Sequence, residues 1–178
     1  MKIQGKKLDG PNIEVVVIPR QSGDIVFKAK AVLDYEACDK LNPQPQAPKM
    51  LLRGGETREN VEDPKYKVAI DEWATRKFYW MLLESLTATD SLEWETVKMD
   101  DPSTWGGYKD EMKASGFSLG EIARVEMCVT DACGLNQAKI DEATKRFLAG
   151  QAQAPDAQSS QSSEHKTTPS GEPVSAGA

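Results

Sequence analysis

Residues 12–33 read NIEVVVIPRQSGDIVFKAKAVL, and this stretch decides the fold class. Asn12 to Ile18 is dense in β-branched residues, which suit a pleated strand. Asp24 to Leu33 alternates: Lys28 and Lys30 face one side, and Phe27, Ala29 and Ala31 face the other. Pro19-Arg20-Gln21-Ser22-Gly23 between them reads as a turn, with Gly23 free to take positive φ. A shorter strand over Lys2–Leu8, before the Asp9-Gly10-Pro11 turn, extends the expectation to a two- or three-stranded antiparallel sheet with one wet face. Lysines at the edge of such a sheet discourage edge-to-edge pairing.

Outward from this hairpin the pattern changes. Asp34 is placed to cap a short helix over Tyr35–Leu41, its carboxylate accepting from first-turn N–H groups. Segment 43–62 holds Pro43, Pro45, Pro48 and the pair Gly54-Gly55, and reads as an irregular linker. From residue 63 helical spacing takes over. Asp63-Pro64 is a cap followed by Pro at the first helical position. Tyr66, Ile70, Trp73 and Lys77 follow at helical spacing, and Phe78 to Leu83 is apolar all round. Leu92–Val97 alternates as a short strand does. Asp101-Pro102 opens a further helix through Trp105, Tyr108 and Met112 to Gly116. Ser118 and Glu121 form a capping box for the next one, which Gly134 ends. Asn136 caps a last helix, with Ile140, Ala143, Phe147 and Leu148 on one face and Gly150 past its end. The expected fold class is therefore α+β: a β-hairpin with a short helix (1–42), a linker (43–62), a helical module (63–150) and a tail (151–178). That tail is rich in Gln, Ser, Ala and Pro, with Val174 its one larger aliphatic residue, and is expected to be disordered.

Composition removes most reactive chemistry. The 178 residues carry 22 Lys+Arg against 28 Asp+Glu, a net charge of −6, and a single His, His165, which lies in the tail. A nucleophile–base pair needs a His or an equivalent base, and residues 1–150 hold no His. The three cysteines are Cys38, Cys128 and Cys133. Cys128 and Cys133 are five apart on an expected helix, so they point apart, and their spacing suits neither a redox pair nor a zinc knuckle. Reduced thiols, buried or half-buried, are expected. Arg53-Gly54-Gly55-Glu56-Thr57 lacks the Gly spacing and the Lys-Ser/Thr of a phosphate loop. Glu93/Glu95 and Asp100/Asp101 read as a wet strand face and a cap, respectively. No catalytic, cofactor or metal residue is expected, and the chain is read as a non-enzyme. The acidic balance argues against nucleic acid, although Lys2, Lys6, Lys7, Arg20, Lys28 and Lys30 cluster early. No run approaches the roughly 18 apolar residues of a membrane span, and the start lacks a signal-peptide core.

Aromatic residues are the remaining candidates. Trp73, Phe78, Tyr79 and Trp80 form one group, and Trp94, Trp105 and Tyr108 another. A lone helix apolar on every side points to a partner or to self-association as a homo-oligomer. Trp73, Tyr79, Trp80 and Leu83 are accordingly the expected protein-binding residues.

Asp63 to Gly150, about half of the chain, resembles the tail assembly chaperones of long-tailed, siphovirus-like bacteriophages. The resemblance rests on Trp80-Met81-Leu82-Leu83-Glu84-Ser85-Leu86, Leu92-Glu93-Trp94-Glu95-Thr96-Val97 and Asp101-Pro102-Ser103-Thr104-Trp105, then on Gly116-Phe117-Ser118 and Phe147-Leu148-Ala149-Gly150. The hairpin and the Pro-rich segment lie outside it. The resemblance implies a chaperone in the host cytoplasm that keeps the tape-measure protein soluble and helical and helps recruit tail-tube protein. A structural virion protein, such as a tail-tube or connector subunit, is the alternative.

Overall fold

A computed structural model describes residues 2–3, 5–7 and 10–152. The element pattern is α+β, as expected: small antiparallel hairpins, then helices. Strand β1 (Lys2–Ile3) pairs with β2 (Lys6–Lys7), so the single strand expected over this stretch is broken in two. Gly5, at φ 78°, takes the left-handed conformation that reverses the chain. Strand β3 (Ile13–Ile18) pairs with β4 (Ile25–Lys30), matching Val15 with Lys28 and Val17 with Val26. Gly23 N–H donates to the Arg20 carbonyl at 3.2 Å to close the turn. The first pair does not join the second, so the main sheet has two strands among the described residues.

Helix α1 (Glu36–Leu41) starts one residue later than expected. Asp34 still supplies a carboxylate to the Glu36 N–H, at 2.8 Å. The segment expected to be an irregular linker contains a hairpin: β5 (Lys49–Leu51) pairs with β6 (Thr57–Glu59). Gly54 and Gly55 both take positive φ in its loop, and Leu52 N–H donates to the Glu56 carbonyl at 2.8 Å. Every residue of these two strands is exposed.

Helix α2 (Pro64–Leu86) is the central element. The Asp63 carboxylate accepts from the N–H groups of Lys65 and Tyr66 at 2.9 and 3.0 Å, answering two donors that the first turn leaves open. Its last two turns sink into the core. The stretch Leu92–Val97 forms no strand. The Glu111 carboxylate instead takes the backbone N–H groups of Glu95 and Thr96 and the Thr96 hydroxyl, so no neighbouring strand is needed. The helix expected from Asp101 begins later. Asp101 holds Ser103 by backbone N–H and hydroxyl, Trp105–Gly107 makes one 3-10 turn, and α3 runs Tyr108–Ala114. Helix α4 (Leu119–Ala132) has the expected capping box of Ser118 and Glu121, and Gly134 follows it at φ 67°. Helix α5 (Gln137–Ala152) passes through Gly150, where a stop was expected. The remainder of the expected disordered tail, from Gln153, lies outside the described residues.

Ile18, Phe27 and Ala29 of the hairpin share one core with Trp80, Leu82, Leu83 and Leu86 of α2. Trp105, Tyr108 and Met112 join it, with Ile122, Val125, Val129 and Ala132 of α4. The hairpin and the helices up to Lys139 therefore make one compact unit, and a second begins at Ile140. The expected separation of a hairpin part from a helical part is not a separation of cores.

Candidate protein-binding surfaces

The four expected contact residues divide. Trp80 and Leu83 are 4% and 1% exposed and belong to the core. Trp73 and Tyr79 are half-buried and already engaged by this chain. Trp73 Nε1 donates to the Asn42 carbonyl at 2.9 Å, and Asn42 Nδ2 donates back to the Trp73 carbonyl at 3.2 Å. The Lys77 ammonium stands 5.2 Å from the Trp73 ring and 5.1 Å from the Tyr35 ring. Tyr79 meets Tyr108 edge to face at 5.6 Å, and Trp80 meets Tyr35 at 5.7 Å. The apolar circumference of α2 is thus covered by α1, β4, α4 and the 3-10 turn of its own chain. The need for a partner to cover it falls away.

The titratable groups form ion pairs and caps. Arg20 pairs with Glu121 through both carboxylate oxygens, reaches the Gly116 carbonyl at 3.4 Å, and lies 5.1 Å above the Phe117 ring. That contact fastens the β3–β4 turn to the start of α4. The guanidinium, together with the Ser118 N–H and hydroxyl, lowers Glu121 to a pKa of about 2. Lys28 pairs with Asp90 and Lys30 with Glu84, at 2.5 and 2.9 Å, so three of the early basic residues already face carboxylates. Tyr108 donates to Glu126 at 2.6 Å, and burial pushes its phenol well above the ordinary range. Burial likewise raises the thiols of Cys38 and Cys128, which disfavours their reactive thiolate form. Among the described residues no group of three or more His, Cys, Asp or Glu is placed to hold a metal. No described helix is long and apolar enough to cross a membrane.

Two surfaces outside the expected contact residues stand open. The first is the outer face of β3. Ile13, Val15 and Val17 are 55%, 54% and 48% exposed, with Val26 of β4 beside them. The wet face of an antiparallel sheet is ordinarily polar. Here only its β4 half is, through Lys28 and Lys30. The signal was present in the run IEVVVI, which carries apolar residues on both faces of the strand. Behind the β3 edge a groove of about 270 Å³ is bounded by Glu14, Val15, Arg124, Met127, Asp131 and Lys139. The second surface is on α5. Ile140, Phe147 and Leu148 are exposed at i, i+7 and i+8, the spacing of one helical stripe.

No family model matches this chain, and neither a curated protein nor a solved structure matches it.

Proposed function

We propose that this chain is a non-enzymatic tail assembly chaperone of a long-tailed bacteriophage. It works in the host cytoplasm, holding the tape-measure protein and helping to recruit tail-tube protein. The observation that carries the reading is the α5 stripe. An amphipathic helix with an open apolar face associates with other amphipathic helices through anchors at this spacing. A long helical protein awaiting assembly presents such faces in number. The net charge of −6 helps keep the resulting complex soluble. The resemblance over Asp63–Gly150 supports the same role.

Co-expression of the full chain with the tape-measure protein encoded beside it tests the reading. The expected result is co-purification and a gain in soluble tape-measure protein. Both should be lost on F147E with L148E while circular dichroism is kept. Failure to co-purify, with no gain in solubility, refutes it. The open β3 edge favours a second reading, a structural virion subunit joined by sheet pairing. Mass spectrometry of purified particles separates the two, because a chaperone leaves the finished virion and a subunit stays.

A further inference from the structure

The two edges of the main sheet are treated differently. On the β4 edge, the Thr89 hydroxyl accepts from the Lys28 N–H and donates to the Lys28 carbonyl, both at 2.9 Å. Ser85 Oγ donates to the Lys30 carbonyl at 2.7 Å. That edge is closed at Lys28 and at the Lys30 carbonyl by side chains from the end of α2 and the turn after it. Lys28 and Lys30 therefore sit at the edge that this chain already covers in part, and not at the β3 edge. Pairing β3 with β4 leaves the N–H and C=O groups of Ile13, Val15 and Val17 aimed at the other edge, because their partners Lys30, Lys28 and Val26 also turn theirs outward. Among the described residues these groups meet no partner, and no lysine, proline or bulge interrupts Ile13–Ile18. An open edge with exposed apolar β-branched residues is a template for another strand.

We propose that the occupant is a second copy of this chain, paired β3 to β3 across a two-fold axis at Val15, giving one four-stranded antiparallel sheet. The residues select this partner and this register. With Val15 opposite the partner copy's Val15, Ile13 falls opposite Val17 at both ends. The outer face then holds six apolar side chains in cross-strand contact, and all three open residues of each copy are bonded. A register centred on Glu14 would set two carboxylates opposite each other. One centred on Val16 would bring Pro19, which has no N–H, against Ile13. The helices agree with the strands. Met127 shares the edge groove with Val15, and Arg124 and Asp131 lie three and four residues to either side of it on α4. An axis there turns Arg124 of each copy toward the partner copy's Asp131. Arg124 has no ion pair within its own chain among the described residues, whereas Asp131 already holds Lys139 at 2.8 Å and Asn136 at 2.7 Å and has lone pairs to spare. Such a pairing is isologous and closed, so it yields a discrete dimer with no free β3 edge. The dimer does not depend on the chaperone reading, which concerns α5.

Light scattering of the full chain after size exclusion tests it. The expected mass is twice 19.6 kDa, in a concentration-dependent equilibrium. V15K and V15E each set like-charged side chains directly opposite each other, on Cα atoms about 5.5 Å apart across the axis, and should be monomers with unchanged circular dichroism. Mixed in equal amounts they should pair again, since each dimer then joins Lys to Glu. A wild-type chain that stays monomeric to about 100 µM leaves the edge to a foreign strand and overturns the proposal. So does a dimer that survives V15K, or an assembly that grows beyond two copies. An unfolded variant cannot pass for a monomer, because the mixing experiment requires folded partners.

Discussion

Leu83 was expected on a docking surface and stands in the core, and one substitution separates the two. In this structure Leu83 is 1% exposed and belongs to the core shared by the hairpin, α2 and α4. L83A removes three buried carbons. The lost transfer energy is about 2 kcal/mol, and incomplete collapse around the remaining void adds about 1–2 kcal/mol. The sum, about 3–4 kcal/mol, is a large share of the roughly 5–15 kcal/mol that holds a domain folded. For a unit of this size it corresponds to a fall in Tm of about 10–15 °C. Urea unfolding followed by tryptophan fluorescence reads the free energy directly, because Trp80 and Trp105 sit in the same core. An unchanged m value confirms that only stability has moved. A residue whose main contact is a partner loses almost nothing in the isolated chain. A loss below about 1 kcal/mol therefore refutes the packing described for α2.

Three further outcomes follow from named contacts. Glu121 is depressed to about 2, chiefly by Arg20, so its contribution is fully present above the ordinary carboxylate pKa and is lost as the pH falls through about 2. Acid unfolding of R20M should be flatter between about pH 4.5 and 2 than that of the wild type, and identical slopes would refute the linkage. T89V keeps the shape of the side chain but strips the Lys28 N–H and C=O of their partner, and thermal melting should show a loss of about 1–3 kcal/mol. In G106A the new methyl would stand 3.3 Å from the Tyr79 ring, tighter than ordinary contact, so a cost of about 1 kcal/mol is expected; a stabilised variant would show that the ring yields freely.

Local chemistry was legible in the residues, and distant chemistry was not. The Asp63-Pro64 start of α2 and the Ser118/Glu121 box of α4 stand as read, because each cap joins groups within three residues of one another. The β3–β4 hairpin stands because its turn is local, Gly23 closing onto Arg20 three residues back. The errors lie where the deciding partner stands outside the local cap or turn pattern. Leu92–Val97 looked like a strand, but Glu111, some fifteen residues on, satisfies its backbone. Trp105 was assigned to an α-helix, yet its indole N–H is drawn back to the carbonyls of Lys98 and Met99. Segment 43–62 looked irregular because its Pro content masks two three-residue strands, and the turn between them depends on Gly54 and Gly55. The α2 surface was misjudged for a related reason. An all-round apolar helix announces burial, but the pattern does not say whose atoms supply the cover. Here they come from the same chain, from Tyr35 on one side and from Trp105 and Tyr108 on another.

The same contrast explains where apolar surface remains. Every buried side-chain polar atom among the described residues has a partner, so the core holds no polar vacancy that an outside group would fill. Among the described residues, the elements with open apolar surface include β3, along its edge and outer face, and α5, along its stripe. Both are regular elements already stable in their backbone geometry, so covering them does not first require the cost of ordering a loop. Thr89 and Ser85 cover Lys28 and the Lys30 carbonyl on the β4 edge from 61 and 55 residues away, and among the described residues nothing comparable serves β3. A chain able to cap one edge of a two-stranded sheet, while leaving the other apolar, loses solubility unless that edge has a mate. The asymmetry between the two edges, and not the aromatic content of α2, is the strongest reason to look for association in this protein.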